Sequence, residues 1–184
     1  MKKILSILLI CTMVFTLCAC NSDSGSGSSG LFSGKIGNVS ASGDPMEFFV
    51  SGSGRTLREV ENEFGSFDSS EEFDSWSYAG TEYTMDKTPV FGEDWEFTLT
   101  VKNSDNSVVA GTFAFSQGKI SDKKFEAYRD EIVEYYTSEY GEPQGYYEDS
   151  AMPVWSWTEG KVTILIQDCR ADRDQLHINF VITK

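Results

Sequence analysis

The chain has one histidine in 184 residues, and beyond residue 20 only one cysteine, Cys169. A lone His177 with no second histidine or cysteine close by in sequence cannot make a zinc site. A lone Cys169 leaves the folded region no internal disulfide, so a hydrophobic core must hold it together. The two residues flank a polar turn, Asp168–Asp174, and a thiol nucleophile would need His177 as its base. No Asn or Asp is placed by any cysteine-enzyme signature, so Cys169 is expected to end a strand without a chemical role, with His177 at an outward strand position. The chain lacks a Gly-x-Ser-x-Gly elbow, and Gly52-Ser53-Gly54 does not follow a strand in a βαβ unit. No catalytic residue, metal ligand or cofactor is expected, and the chain does not read as an enzyme.

Positive charge is also scarce, with 15 Lys and Arg against 29 Asp and Glu. An acidic surface is repelled by nucleic acid and by anionic headgroups, which excludes DNA or RNA as a partner. Asp68, Glu71, Glu72 and Asp74 crowd together, but without the Asp-x-Asp-x-Asp-Gly order of a calcium loop. They read as a solvated acidic loop, with small-solute or cation binding as the alternative.

Long apolar runs are missing except at the start. Ile4 to Leu17 is almost wholly apolar, a run of 14 residues after Lys2 and Lys3. A membrane-spanning helix needs about 20. A basic start, a short apolar run and small residues make a signal peptide. The run ends in Leu17-Cys18-Ala19-Cys20, which resembles the lipobox of bacterial lipoproteins. The resemblance implies removal of residues 1–19, a diacylglyceryl thioether on Cys20, and a location on the outer face of a cell membrane. Two acyl chains suffice for stable anchoring. Cleavage would remove Lys2 and Lys3 and no acidic residue, taking the net charge from −14 to −16. Residues 20–30 then form the lipidated cysteine and a Gly/Ser linker. Its ten residues after Cys20 have no apolar side chain and a root-mean-square reach of roughly 16–19 Å.

Residues 31–184 are one domain's worth of chain and are rich in Phe, Tyr and Trp. A short helix is expected near Asp44–Phe49. Leu57, Val60 and Phe64 recur at helical spacing, and Gly65 stops that helix. Trp76-Ser77-Tyr78 reads as a strand start. Trp95, Phe97, Leu99 and Val101 alternate on one strand face, Asn103–Ser107 is a turn, and Val109–Phe115 is the next strand. Phe125, Tyr128, Ile132, Tyr135 or Tyr136, and Tyr140 then mark a longer helix closed by Gly141. Strands follow at Val154–Trp157, Lys161–Ile166 and Leu176–Ile182.

The pattern repeats. Phe64-Gly65 answers Tyr140-Gly141, and Trp76-Ser77-Tyr78 answers Trp155-Ser156-Trp157. The expected architecture is α+β: two tandem helix-plus-three-strand units, about 55–116 and 122–184, forming an antiparallel sheet with helices on one face. This repeat resembles the β-lactamase inhibitor protein fold and, unit by unit, the small outer-membrane-assembly lipoproteins of the SmpA/OmlA type. The resemblance implies a non-enzymatic module whose exposed sheet face binds another extracytoplasmic protein. It departs from the inhibitors in having no disulfide within the repeats.

One asymmetry suggests where binding occurs. Tyr78 to Leu99 takes 21 residues, whereas Trp157 to Ile164 takes 7. The difference, Ala79–Asp94, reads as an inserted loop, and insertions in repeats often carry the binding face. Tyr83 and Phe91 within it, with Tyr146 and Tyr147 in a Gly-Tyr-Tyr-Glu-Asp loop, are the candidate protein-binding surface; a longer hairpin whose aromatics cover a sheet edge is the alternative.

Overall fold

The computed structural model describes residues 44–183 apart from 53, 76, 77, 119 and 148–151. Residues 1–30, expected as signal peptide, Cys20 and linker, lie outside the described residues, as do Trp76 and Ser77. Helix α1, Met46–Ser51, begins where Asp44 Oδ1 accepts from the Met46 amide at 2.8 Å. Tyr136 and Tyr135 also donate their hydroxyls to Asp44, at 2.7 and 3.2 Å. Burial nonetheless raises the Asp44 pKa above the usual range, against the pull of these hydrogen bonds.

Helix α2, Leu57–Phe64, opens with a capping box. The Glu59 amide donates to Thr56 Oγ1 at 3.4 Å, and the Thr56 amide donates to the Glu59 carboxylate at 2.9 Å. Gly65 ends it at φ 108°, a backbone that disfavours any side chain. Helix α3, Asp122–Tyr140, buries Phe125, Tyr128, Ile132 and Tyr136 along one stripe and ends at Gly141. Among the described residues no helix is long and apolar enough to cross a membrane.

The strands are β1 Ser69–Asp74, β2 Ala79–Val90, β3 Glu93–Lys102, β4 Ser107–Ser116, β5 Gly145–Tyr147, β6 Val154–Glu159, β7 Val162–Asp168 and β8 Gln175–Ile182. A four-residue helix, α4, Arg170–Arg173, occupies the charged turn between β7 and β8. All eight strands form one antiparallel sheet in the order β1-β2-β3-β4-β8-β7-β6-β5. The α+β class is as expected. The three-strand count is not: four strands follow α2 and four follow α3. The strands not foreseen are β1, β2 and β5. The acidic segment expected as a loop is mostly β1, and the presumed insertion is β2 with its turn into β3.

The core lies between the helices and one face of the sheet. Phe97 and Phe113 face each other across β3 and β4, their rings stacked at 4.1 Å. Phe49 of α1 stacks on Phe180 of β8 at 3.9 Å. A Cβ at Gly111 would stand 2.5 Å from the Phe180 ring, so only glycine lets that ring lie across β4. Trp95 donates to the Tyr128 hydroxyl at 3.3 Å and Trp157 to the Gly141 carbonyl at 2.8 Å, so neither indole buries an unpaired N–H. Each buried aromatic contributes on the order of 2–3 kcal/mol.

Candidate functional site

Alternation places one set of side chains on the core and the other on the opposite face of the sheet. On that opposite face the pairing Ser69–Thr84, Thr84–Thr98, Thr98–Thr112 and Thr112–Asn179 draws an unbroken row of hydroxyl and amide side chains across β1, β2, β3, β4 and β8. Beside this row Glu71 of β1 sits directly across from Glu82 of β2. Glu96 occupies the same face of β3, near Asp86 of β2. Partial desolvation against the sheet, and then the charge of Glu71, raises the Glu82 pKa above the usual carboxylate range. Desolvation and then Asp86 do the same to Glu96.

Access to this face changes across the sheet. Ser69, Glu71, Asp86 and Glu96 are exposed, and Glu82, Thr84, Thr98 and Thr112 are half-buried. Further along, Asn179, His177, Leu165 and Gln167 are all buried. The ring and ion-pair contacts of α1, α2 and α3 with the sheet go to core-side residues, including Phe97, Phe180, Trp95, Trp157 and Asp168. At the β1–β3 end of the opposite face the carboxylates of Glu71, Asp86 and Glu96 are exposed, whereas Thr100 of β3, across from Glu82, is only 1 % exposed.

The four aromatic residues chosen from sequence are not brought together. Phe91 is 7 % exposed, its ring packed edge-on against Tyr135 at 5.3 Å and Tyr136 at 6.0 Å. It belongs to the core and leaves the candidate surface. With Gly92 it makes the two-residue turn between β2 and β3, at φ 49° and 84°. A bulky residue at positive φ is strained, and burial of the ring offsets that cost. Tyr83 is half-buried on the core side of β2, 5.4 Å from the Phe67 ring. Tyr146 and Tyr147 form edge strand β5 rather than a loop, pairing with Trp155 and Val154. From β2 to β5 there are six inter-strand steps, roughly 28 Å along a sheet.

Cys169 and His177 are both buried, at 3 and 2 % exposure. Cys169 closes the β7–β8 connection: its amide donates to the Gln175 carbonyl, and its own carbonyl accepts from Asp172 and Arg173. His177 does face away from the helices, as expected, but not toward solvent. A ring nitrogen lies 2.9 Å from Gln175 Oε1, and burial, helped by the charge of Arg173, lowers its pKa to about 4. Among the described residues no group of three or more His, Cys, Asp or Glu side chains is arranged to hold a metal ion. The hydroxyl row and its carboxylates are suited to hydrogen bonding and to attracting positive charge.

The row was missed because its residues are not apolar. Thr98 and Thr100 alternate with Phe97, Leu99 and Val101, as Thr84 does with Tyr83 and Met85. The period-two signal runs through β2 as well, but the second unit is shorter at this point, which gives the extra length of the first the look of an insertion. Compared with protein-family models, curated proteins and solved structures, the chain has no significant match.

Proposed function

We propose that this chain is a bacterial lipoprotein, anchored to the outer side of a membrane by lipid on Cys20, and that it works as a non-enzymatic module binding another extracytoplasmic protein. Residues 1–30 support the anchor through the basic start, short apolar run, Leu17-Cys18-Ala19-Cys20 and polar tether. One observation carries the binding reading: the β1–β3 part of the sheet turns the exposed Ser69, Glu71, Asp86 and Glu96 and the half-buried Thr84 and Thr98 away from the helices. A polar sheet face can supply hydrogen-bonding groups along its length to a protein surface. Cation binding has less support, because the carboxylates form no metal-holding group among the described residues.

The symmetric strand order, with a helix before each set of four strands, supports two tandem copies of one helix-plus-meander unit. That is one strand more per unit than the sequence suggested. The likeness to β-lactamase inhibitor proteins and SmpA/OmlA-type lipoproteins rests on this repeat pattern.

Replacing Cys20→Ala tests the anchor. Wild-type protein is expected in the membrane fraction with a mature terminus at a diacylglyceryl-modified Cys20, and the variant outside it or unprocessed with its domain folded. Mass spectrometry of the wild-type protein showing an intact Met1 terminus, or a mature chain without lipid, overturns the anchor.

A further inference from the structure

We infer that a segment of the protein partner binds as an added strand on the outer edge of β1, with lysine or arginine side chains beside Glu71 on one face and beside Glu72 and Asp74 on the other. This rests on the protein-binding reading above and names the docking edge, the partner's conformation and its charge. Its basis is the backbone of β1. That strand ends the sheet, and among the described residues no strand lies beyond it. It pairs with β2 along its whole length, Ser69–Asp74, in one unshifted register. All of it is exposed apart from the half-buried Phe73.

The last pair of the ladder sets the direction of the hydrogen bonds. The Ser75 amide donates to the Tyr78 carbonyl at 3.1 Å, so these two residues form a hydrogen-bonded pair. Antiparallel pairs alternate. The N–H and C=O groups of Phe73, Glu71 and Ser69 therefore turn to β2, and those of Asp74, Glu72 and Ser70 turn outward. An added strand would take up those outward groups. The next stretch of edge is closed in another way. Beyond the end of β1, the Asp86 amide of β2 donates to the Asp68 carboxylate at 2.8 Å. The fold caps the edge of β2 there and leaves the edge of β1 open.

Charge selects the occupant. No lysine or arginine stands between Arg58 and Lys87, while Asp68, Glu71, Glu72 and Asp74 lie on or beside the edge. Charges guard an edge against unwanted pairing, and a guard of one sign admits a strand of the other. A second copy is a poor occupant. Pairing β1 with itself about Glu71, Glu72 or Phe73 sets Glu71 on Glu71, Glu72 on Glu72, or Glu72 on Asp74. A basic strand meets carboxylates on both faces. On the Glu71 face it also meets Phe73, whose ring lies across β2: a Cβ at Gly80 would stand 2.6 Å from it. That ring can carry the methylene stem of a lysine whose ammonium reaches Glu71.

The test uses the full chain and a Lys-Lys-Thr repeat peptide, compared with the same peptide N-methylated throughout its backbone. Charge is equal in the two, but only the parent can donate to a strand edge. Calorimetric titration is expected to show the N-methylated peptide binding at least about tenfold more weakly. Ser70→Pro removes one outward N–H and no charge, at a position where an edge strand tolerates proline. It should weaken the parent peptide about fivefold. Hydrogen exchange should show the Ser70, Glu72 and Asp74 amides of the wild type slowed by the parent peptide, a readout that stands even if Ser70→Pro fails to fold. Equal binding of the two peptides, no binding of the parent, or unprotected amides would overturn the inference.

A photo-cross-linker at Ser70 or at Glu134, both exposed, in full-length protein on native envelopes, supplies the second arm. A protein adduct through Ser70 that maps to a Lys- or Arg-rich segment supports the inference, and one that maps to a segment without basic residues overturns it. Adducts through Glu134 alone overturn the docking edge but leave the protein-binding reading standing. No protein adduct from either position overturns both.

Discussion

Acidic side chains are treated in opposite ways in the two halves of the sheet. At the end of β7, Asp168 has a side chain only 4 % exposed, with Arg129 and Arg170 reaching it at 2.8 and 2.7 Å. Burial works to raise its pKa, but hydrogen bonds from Arg170 and Arg129 outweigh that and hold it below the usual range. Across β1–β3 the carboxylates of Glu71, Glu82, Asp86 and Glu96 are gathered on one face, and none joins the ion pairs seen among the described residues. The first arrangement joins helix α3 to the β7 end. The second costs the molecule stability.

Breaking the first arrangement gives the largest expected effect. Asp168→Ala leaves two arginines facing each other without their shared carboxylate, and should cost about 2–3 kcal/mol after allowance for their partial exposure. Urea unfolding at neutral pH measures this; a loss under about 0.5 kcal/mol would mean that the network does not hold α3 to the sheet. In the other half the sign reverses. Glu82→Gln with Glu96→Gln should raise stability at neutral pH by up to about 1 kcal/mol.

Acid sharpens the same contrast. Glu82 and Glu96 have folded pKa values raised above 4.5, so their penalty is present at neutral pH and relieved as pH falls through those values toward 4.5. Asp168 is lowered from 3.8, so its contribution is present above 3.8 and disappears as pH falls through its lower folded value. His177, lowered to about 4 by burial, acts opposite to the two glutamates and withdraws stability as pH falls from 6.5 toward 4. The carboxylate effect is therefore read as the difference between wild type and the double glutamine variant, which should narrow as pH falls toward 4.5. His177, Asp44 and Glu93 are unchanged in the variant and drop out of that difference. A difference that stays constant from about pH 7 to 4.5 would contradict this assignment.

The parts legible from sequence were those whose burial shows in periodicity. The α3 stripe from Phe125 to Tyr136 and the β3 alternation from Trp95 to Val101 have that form. Strand β1, Ser-Ser-Glu-Glu-Phe-Asp, is an exposed edge whose pairing is made by the backbone, so its side chains read as loop. Phe91 and Tyr83 have the composition of an interface, and composition does not separate an aromatic packed on a helix from one awaiting a partner. The Phe91 turn was hidden for another reason: tight hairpin turns are read from Asn, Asp and Gly, and here Phe fills a positive-φ position. The Glu71–Glu82 opposition became visible only with the register of β1 on β2.

One joint in the sheet has a consequence for how the chain reaches its fold. Every neighbouring strand pair is consecutive in sequence except β4 with β8, where Thr112 and Asn179 are 67 residues apart. Each four-strand run can assemble from local hairpins, while the joint must close a long loop before its contacts repay the lost entropy. The joint should therefore form after the transition state for folding. Thr112→Ala should speed unfolding in stopped-flow experiments while leaving refolding nearly unchanged, and a matching slowdown of refolding would place the joint in the nucleus. A seam that closes last is also the first to open, which makes the β4–β8 boundary the kinetic weak line of the molecule.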